Sequence, residues 1–396
     1  MTPLSNTALI LALVLAPTPA EAAWRDEVMR TEQRTVSVPS GGAVHIDHRS
    51  GNVKVHGHQR NDLLVAATFR VSANNKANAE AFLRGMRLEV TTTGTTVSVR
   101  VNTPPSNGVN TDVGFAVDLE VSVPERIRLS VENRFGDTAV TGVKAPLTVS
   151  SGNGKVSVAD IEAAATLKNR FGAVDVSRVT GDLDIQNSNG EIAARDVRGG
   201  ATITTVFGGV TLERITGAVS VTGANGDIRL IGVDGQTTVS SRFGRVVLRG
   251  IAGKLTANSS NGDIDAGMAP GGCHPVSLES RFGRVLVLTA GGGYALDASA
   301  RYGRIDSDVQ ILTVVRPAPR PGEPQRVTGQ IGDGRCPMAV VTDNGDILIR
   351  GGAEPSPADA DGYRRGPVAP APPRTPQAPQ APSPGAMPRP APMPDR

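Results

Sequence analysis

Eight glycines, Gly136, Gly154, Gly172, Gly190, Gly208, Gly226, Gly244 and Gly262, follow one another at intervals of 18 residues, and the residue before each is Phe or Asn in strict alternation. A short fixed period restricts a chain to architectures in which each repeat covers the apolar face of the next. The period loosens to 21 and 20 residues at Phe282-Gly283 and Tyr302-Gly303, and Asn344-Gly345 follows a Pro-rich insertion near 316–326.

Phased on the glycine, apolar residues recur at offsets 2, 4, 7, 11 and 13, as in Val174, Val176, Val179, Leu183 and Ile185. The spacing predicts two short strands per repeat, each with one inward face, and a third inward anchor at a corner. A glycine at offset 9 (Gly181, Gly217, Gly235, Gly253) admits a tight turn after that anchor. A left-handed hexapeptide helix would need an inward aliphatic residue at every sixth position, which these intervals do not supply. The expected fold is all-β: a parallel β-solenoid of about 18-residue coils, right-handed by the rule for parallel crossovers.

Composition agrees, since 46 Gly against 8 Phe, 3 Tyr and 1 Trp in 396 residues does not describe a large conventional core. A formal charge of +3 is too near neutral for an electrostatic nucleic-acid binder.

Four segments follow. Residues 1–22 read as a cleaved secretory signal: the apolar run 8–16 is too short to span a bilayer and precedes Ala20-Glu21-Ala22. Residues 23–125 lack the period and read as a small N-terminal β-rich cap, with a short helix near 76–86 and a strand over Leu88–Val101. Residues 126–352 are the solenoid. Residues 353–396 hold 14 Pro and read as a disordered, extended Pro-rich tail. The mature chain then has no transmembrane segment and belongs to the periplasm, the cell surface or the exterior.

Candidate sites fall on columns of this repeat. Phe135, Phe171, Phe207, Phe243, Phe282 and Tyr302 sit on the inward parity of the second strand and read as a structural core column at a corner, the alternative being an exposed aromatic strip for sugar stacking. Beside them Arg134, Arg170, Arg242, Arg281 and Arg301, interrupted by Val206, would form an outward column suited to carboxylate or phosphate. Thr148, Thr166, Asp184, Thr202, Ser220, Thr238, Thr256 and Ser277 would line an exposed strand face. His45, His48, His56 and His58, on a presumed hairpin turning at Ser50-Gly51-Asn52, are weak metal candidates without the spacing of a structural zinc site. Cys273 and Cys336 are the only cysteines. Export favours a disulfide, whereas corners two coils apart would be too distant to bridge, so the pairing stays open. Asp175, Asp182, Asp184, Asp227, Asp263 and Asp265 are scattered over turns and exposed faces, and no catalytic constellation or cofactor site emerges.

Val117-Asp-Leu-Glu-Val-Ser-Val-Pro124, Ile127-Arg-Leu-Ser-Val131 and the coils ending in Val341-Thr-Asp-Asn-Gly-Asp-Ile-Leu-Ile349 resemble the bacterial putative-adhesin family of exported β-strand-repeat proteins. Ser50-Gly51-Asn-Val-Lys-Val-His-Gly57 is similar to that family's opening motif. The resemblance covers roughly 35–352 and implies a non-enzymatic β-solenoid of the cell envelope, with no catalytic residues to carry over. The expected function is a scaffold or adhesion module for an envelope polymer, an anionic glycan or a protein partner. The alternative is a carbohydrate-active enzyme, a polysaccharide lyase or hydrolase, on a β-helix.

Overall fold

The computed structural model describes residues 26–104, 113–315 and 323–352. The signal segment and the Pro-rich tail expected from the sequence lie outside the described residues. The described strands form two long sheets, of 15 and 16 strands, packed face to face. Each regular coil gives one strand to each sheet, as Val174–Thr180 and Leu183–Asn189 do, and pairs in parallel with the coils before and after it. The β-solenoid expected from the 18-residue period is the fold.

The phased positions explain why. Val174, Val176, Leu183 and Ile185 are buried between the sheets, where they join one continuous apolar core. Inward intervals of two give way to three at Val179 because the residue before it, Arg178, adopts φ 55°, a left-handed turn of the backbone that resets the alternation. Asp160, Asp196 and Arg214 repeat that left-handed conformation on other coils, and glycine takes the position at Gly142, Gly232 and Gly250. Ion pairs brace the charged members: Arg178 donates to Asp160 at 2.6 and 2.9 Å, and Arg214 to Asp196 at 2.6 and 3.1 Å.

Both ends depart from sequence order. The last coil in the chain, Cys336–Asn344 with Ile347–Arg350, does not lie at the end of the stack. It is inserted between Val276–Phe282 and Tyr294–Tyr302 in one sheet, and between Val285–Leu288 and Ile305–Ser307 in the other. At the N-terminal end, Ala43–His48 lies between Thr96–Asn102 and Arg128–Phe135, while Val53–His58 lies between Gly114–Pro124 and Thr138–Val143. Each end therefore holds one coil between two that are consecutive along the rest of the chain.

These insertions correct two expectations. Ser50-Gly51-Asn52 is not a hairpin, because the strands flanking it belong to different sheets; it is a coil corner, and Gly51 N donates to Phe135 O at 2.8 Å. Cys273 and Cys336 are not two coils apart, since Cys336 opens the strand inserted beside Val276–Phe282. Their Cα atoms are 5.4 Å apart and the disulfide is formed.

In the N-terminal region the expected helix is present as Lys76–Gly85, capped by Asn75, whose side chain accepts from Asn78 N at 2.8 Å. Leu83 is buried, and Phe82 packs against Phe115 with ring centroids 5.5 Å apart. The strand expected over Leu88–Val101 is instead the antiparallel pair Arg87–Thr93 and Thr96–Asn102, turned at Gly94 with φ 59°.

Candidate functional site

One corner of the coil carries the period glycines. Gly190 has φ 131°, and a Cβ there would collide with the carbonyl of Gly172 one coil below. The collision repeats up the corner, so an unbroken glycine column is the condition for coils to stack this closely.

Behind it runs a buried polar column that the sequence reading did not single out. Asn133, Ser151, Asn169, Asn187, Thr205, Ser241, Ser259 and Ser280 lie three residues before their glycines and are buried. Asn169 Nδ2 donates to the carbonyls of Gly154 and Gly172, and Asn187 Nδ2 to those of Gly172 and Gly190, which ties adjacent corners together. The signal was available as small polar residues on inward parity, where an apolar residue belongs.

That column overturns the expected core role of the aromatics. Inward parity ends at Asn169 and its equivalents, where the chain enters the glycine turn, and the next two side chains project off the edge of the sandwich. Phe135, Phe171, Phe207, Phe243, Phe282 and Tyr302 are 45–69% exposed. The parity count was right along the strand and failed at its last residue.

Arg134, Arg170, Arg242, Arg281 and Arg301, which precede these aromatics in the chain, are exposed. Among the described residues, none of the five has an ion-pair or hydrogen-bond partner. Four arginines elsewhere on the rod, Arg178, Arg214, Arg249 and Arg326, each pair with an aspartate at 2.6–2.7 Å. Asp343 is the one carboxylate in the column, between Arg281 and Arg301. At the N-terminal end an open groove of about 590 Å³ follows the corner, lined by Arg134, Lys168, Arg170, Glu132, Gln186 and Val206. A neighbouring depression adds Arg49 and Arg100, facing Asp47. Arg49 occupies the arginine position of the Gly51 coil, and the sequence reading missed it because that coil lies outside the 18-residue series.

The other candidates disperse. His45 and His48 lie in one sheet and His56 and His58 in the other. His56 Nδ1 lies 2.8 Å from Thr141 Oγ1, and His58 Nδ1 accepts from Arg60 N. Among the described residues no three His, Cys, Asp or Glu side chains converge as metal ligands would. His48 is buried in the polar column, in register with Asn133. Burial holds its pKa below the ordinary histidine value, partly opposed by the backbone of Val117 and Ser50 and by Asp118 and Asp47. Most of the acidic candidates are structural: Asp182, Asp227 and Asp263 accept from the backbone N–H of Gly200, Arg245 and Arg284, and Asp265 is buried against Arg249. Thr148, Thr166, Asp184, Thr202, Ser220, Thr238, Thr256 and Ser277 do align on one outer face.

The family model described as Toastrack DUF4097 matches residues 29–350. A putative cell adhesion protein from Clostridium sporogenes ATCC 15579 aligns over 81% of this chain and 100% of its own, at 11% identity and a TM-score of 0.20. A putative lipid binding protein from Parabacteroides distasonis ATCC 8503 aligns over 81% and 96%, at 10% identity and 0.31. A putative adhesin from Bacteroides fragilis NCTC 9343 aligns over 81% and 97%, at 11% identity and 0.20. No curated protein matches the chain.

Proposed function

The chain belongs to the Toastrack DUF4097 family, and from that premise we propose that it is an exported, non-enzymatic envelope protein whose glycine corner binds an anionic partner. The observation that carries this reading is the alignment of five unpaired arginines along one corner of the stack. Arg178, Arg214, Arg249 and Arg326 are each neutralised by an aspartate on a neighbouring strand, whereas the five that precede the aromatics, like Arg195 and Arg229 on the sheet face, have no ion-pair partner among the described residues. A row of unpaired guanidinium groups on a stiff scaffold suits carboxylates or phosphates held at regular intervals, because the geometry is fixed before binding. Use of the acidic side chains as turn braces supports a binding role over hydrolysis. An oxidising compartment suits the disulfide, and no helix among the described residues is long and apolar enough to cross a membrane.

The test is co-sedimentation of the purified protein with isolated envelope polymer at low and high salt, beside the triple variant Arg170→Ala, Arg242→Ala, Arg281→Ala. Binding should be salt-sensitive and fall at least tenfold in the variant. Equal binding by both proteins at low salt would remove the arginine row from the function.

A further inference from the structure

We infer that the same corner is a ruler for a linear acidic polysaccharide, with a sugar ring stacked on an aromatic at every second coil and its carboxylates on the adjacent arginines. The inference rests on the reading above and adds the ligand's chemical class and its register.

The first observation is topological. Along the chain Phe282 and Tyr302 are successive aromatic corners, which would break the alternation of aromatic and Asn. In the stack Asn344 pairs with Phe282 on one side and Tyr302 on the other. Insertion of the last coil therefore restores the order, and from Phe135 to Tyr302 every aromatic is followed by an Asn without exception. Nothing in the core requires this, since these side chains lie outside it.

Spacing is the second. Strands in a sheet lie about 4.8 Å apart, so the rings recur about every 9.6 Å. At that distance they do not stack on one another, and about half of each Phe ring stays exposed. Four of the intervening coils carry small residues beside their Asn, namely Gly152, Ser188, Ala224 and Ser260, which keeps a gap between successive Arg and Phe pairs, while the fifth carries Asp343 between Arg281 and Arg301.

The third is the pairing of chemistries. Half-exposed Phe rings in a regular row are costly to leave in water and mark a contact surface. Each follows an arginine in the chain, except Phe207, which follows Val206. A sugar offers an apolar C–H face to the ring and, in a uronate, a carboxylate to the arginine. The partly buried Asn153, Asn189 and Asn261 between them supply donors and acceptors for hydroxyls. In an extended β-1,4-linked glycan successive sugars are turned over, so equivalent faces recur at every second unit, a distance set by two pyranose lengths and close to the ring spacing here. A β-strand repeats its side chains every ~6.7 Å and falls out of step. A polyproline helix, at about 9.3 Å per turn, matches the rings and leaves the arginines without a counter-charge.

The experiment is calorimetric titration of the full chain with β-1,4-linked oligomannuronates of increasing length, with neutral β-1,4 mannan oligomers of equal length, and with an oligoproline peptide. Affinity for the acidic oligomers should rise in steps of two sugars. Phe171→Ala, Phe207→Ala and Phe243→Ala should each weaken it roughly three- to tenfold, in high salt as well as low, with unchanged circular dichroism because these rings pack no core. Arg170→Gln with Arg242→Gln should flatten the salt dependence. If the arginine variants lose binding and the Phe variants do not, the anionic reading stands and the ruler falls. Tighter binding of the oligoproline peptide would replace the glycan by a peptide and overturn the inference. If neither the oligomers nor isolated envelope polymer binds, both readings fall together.

Discussion

Removing the Cys273–Cys336 disulfide tests how the inserted coil is held. The bond joins the segment before Val276–Phe282 to the first residue of Cys336–Asn344, with a sequence separation of 63. Closing a loop of that length in the unfolded chain costs entropy that the bond removes in advance, about 4 kcal/mol in the chain-entropy model. The inserted coil also has its own hold, because Met338, Val340, Ile347 and Ile349 are buried and strands flank it on both sides. The double variant Cys273→Ser, Cys336→Ser should therefore still fold, while residues 336–350 open more often. Since 1.4 kcal/mol is a factor of ten, the protection factors of that coil should fall by up to about a thousandfold. Hydrogen exchange read by mass spectrometry on oxidised protein and variant measures this coil by coil. The coils from Gly136 to Gly244 should be unaffected, because a solenoid communicates mainly between neighbours. Unchanged protection over 336–350, or an equal loss along the whole rod, would refute the reasoning.

Two further outcomes concern the glycine corner. Gly190→Ala puts a Cβ against the Gly172 carbonyl at φ 131° and should cost about 2–4 kcal/mol; a variant with wild-type melting would show that the corner spreads easily. His48, kept neutral by burial, leaves the folded chain short of a proton that the unfolded chain gains below about pH 6.5. Its contribution is thus complete above that pH and lost as pH falls toward the folded value. His48→Asn, the residue in register at Asn133, should lose less stability between pH 7.5 and 5.5 in urea titrations, and equal losses would argue against it.

The core of the fold was legible because a period of 18 residues and inward offsets are statements about the backbone, which the coils obey from Gly136 to Gly262. Two things were not. Parity along Ala165–Phe171 extrapolates one residue too far, because the glycine turn, not the strand, decides where Phe171 points. The order of coils in space was equated with their order in sequence, which hid both insertions and made the cysteines look distant. A clue to the second was present. Two aromatic corners in succession at Phe282 and Tyr302, with an unmatched Asn344 further on, are reconciled when the last coil is placed between them.

The inserted ends also set how such a rod can change length during evolution. A coil duplicated at either end would have to enter a slot fixed by a later or earlier stretch of chain, and at the far end by a disulfide as well. Duplication in the middle meets no such obstacle, since each coil there bonds to the next at a separation of 18 residues. One added coil would set two like corners side by side and put the two halves of the aromatic row out of phase. Two added coils, about 36 residues, would leave the row continuous. Length variants of this protein should therefore differ by even numbers of central coils while their ends stay the same.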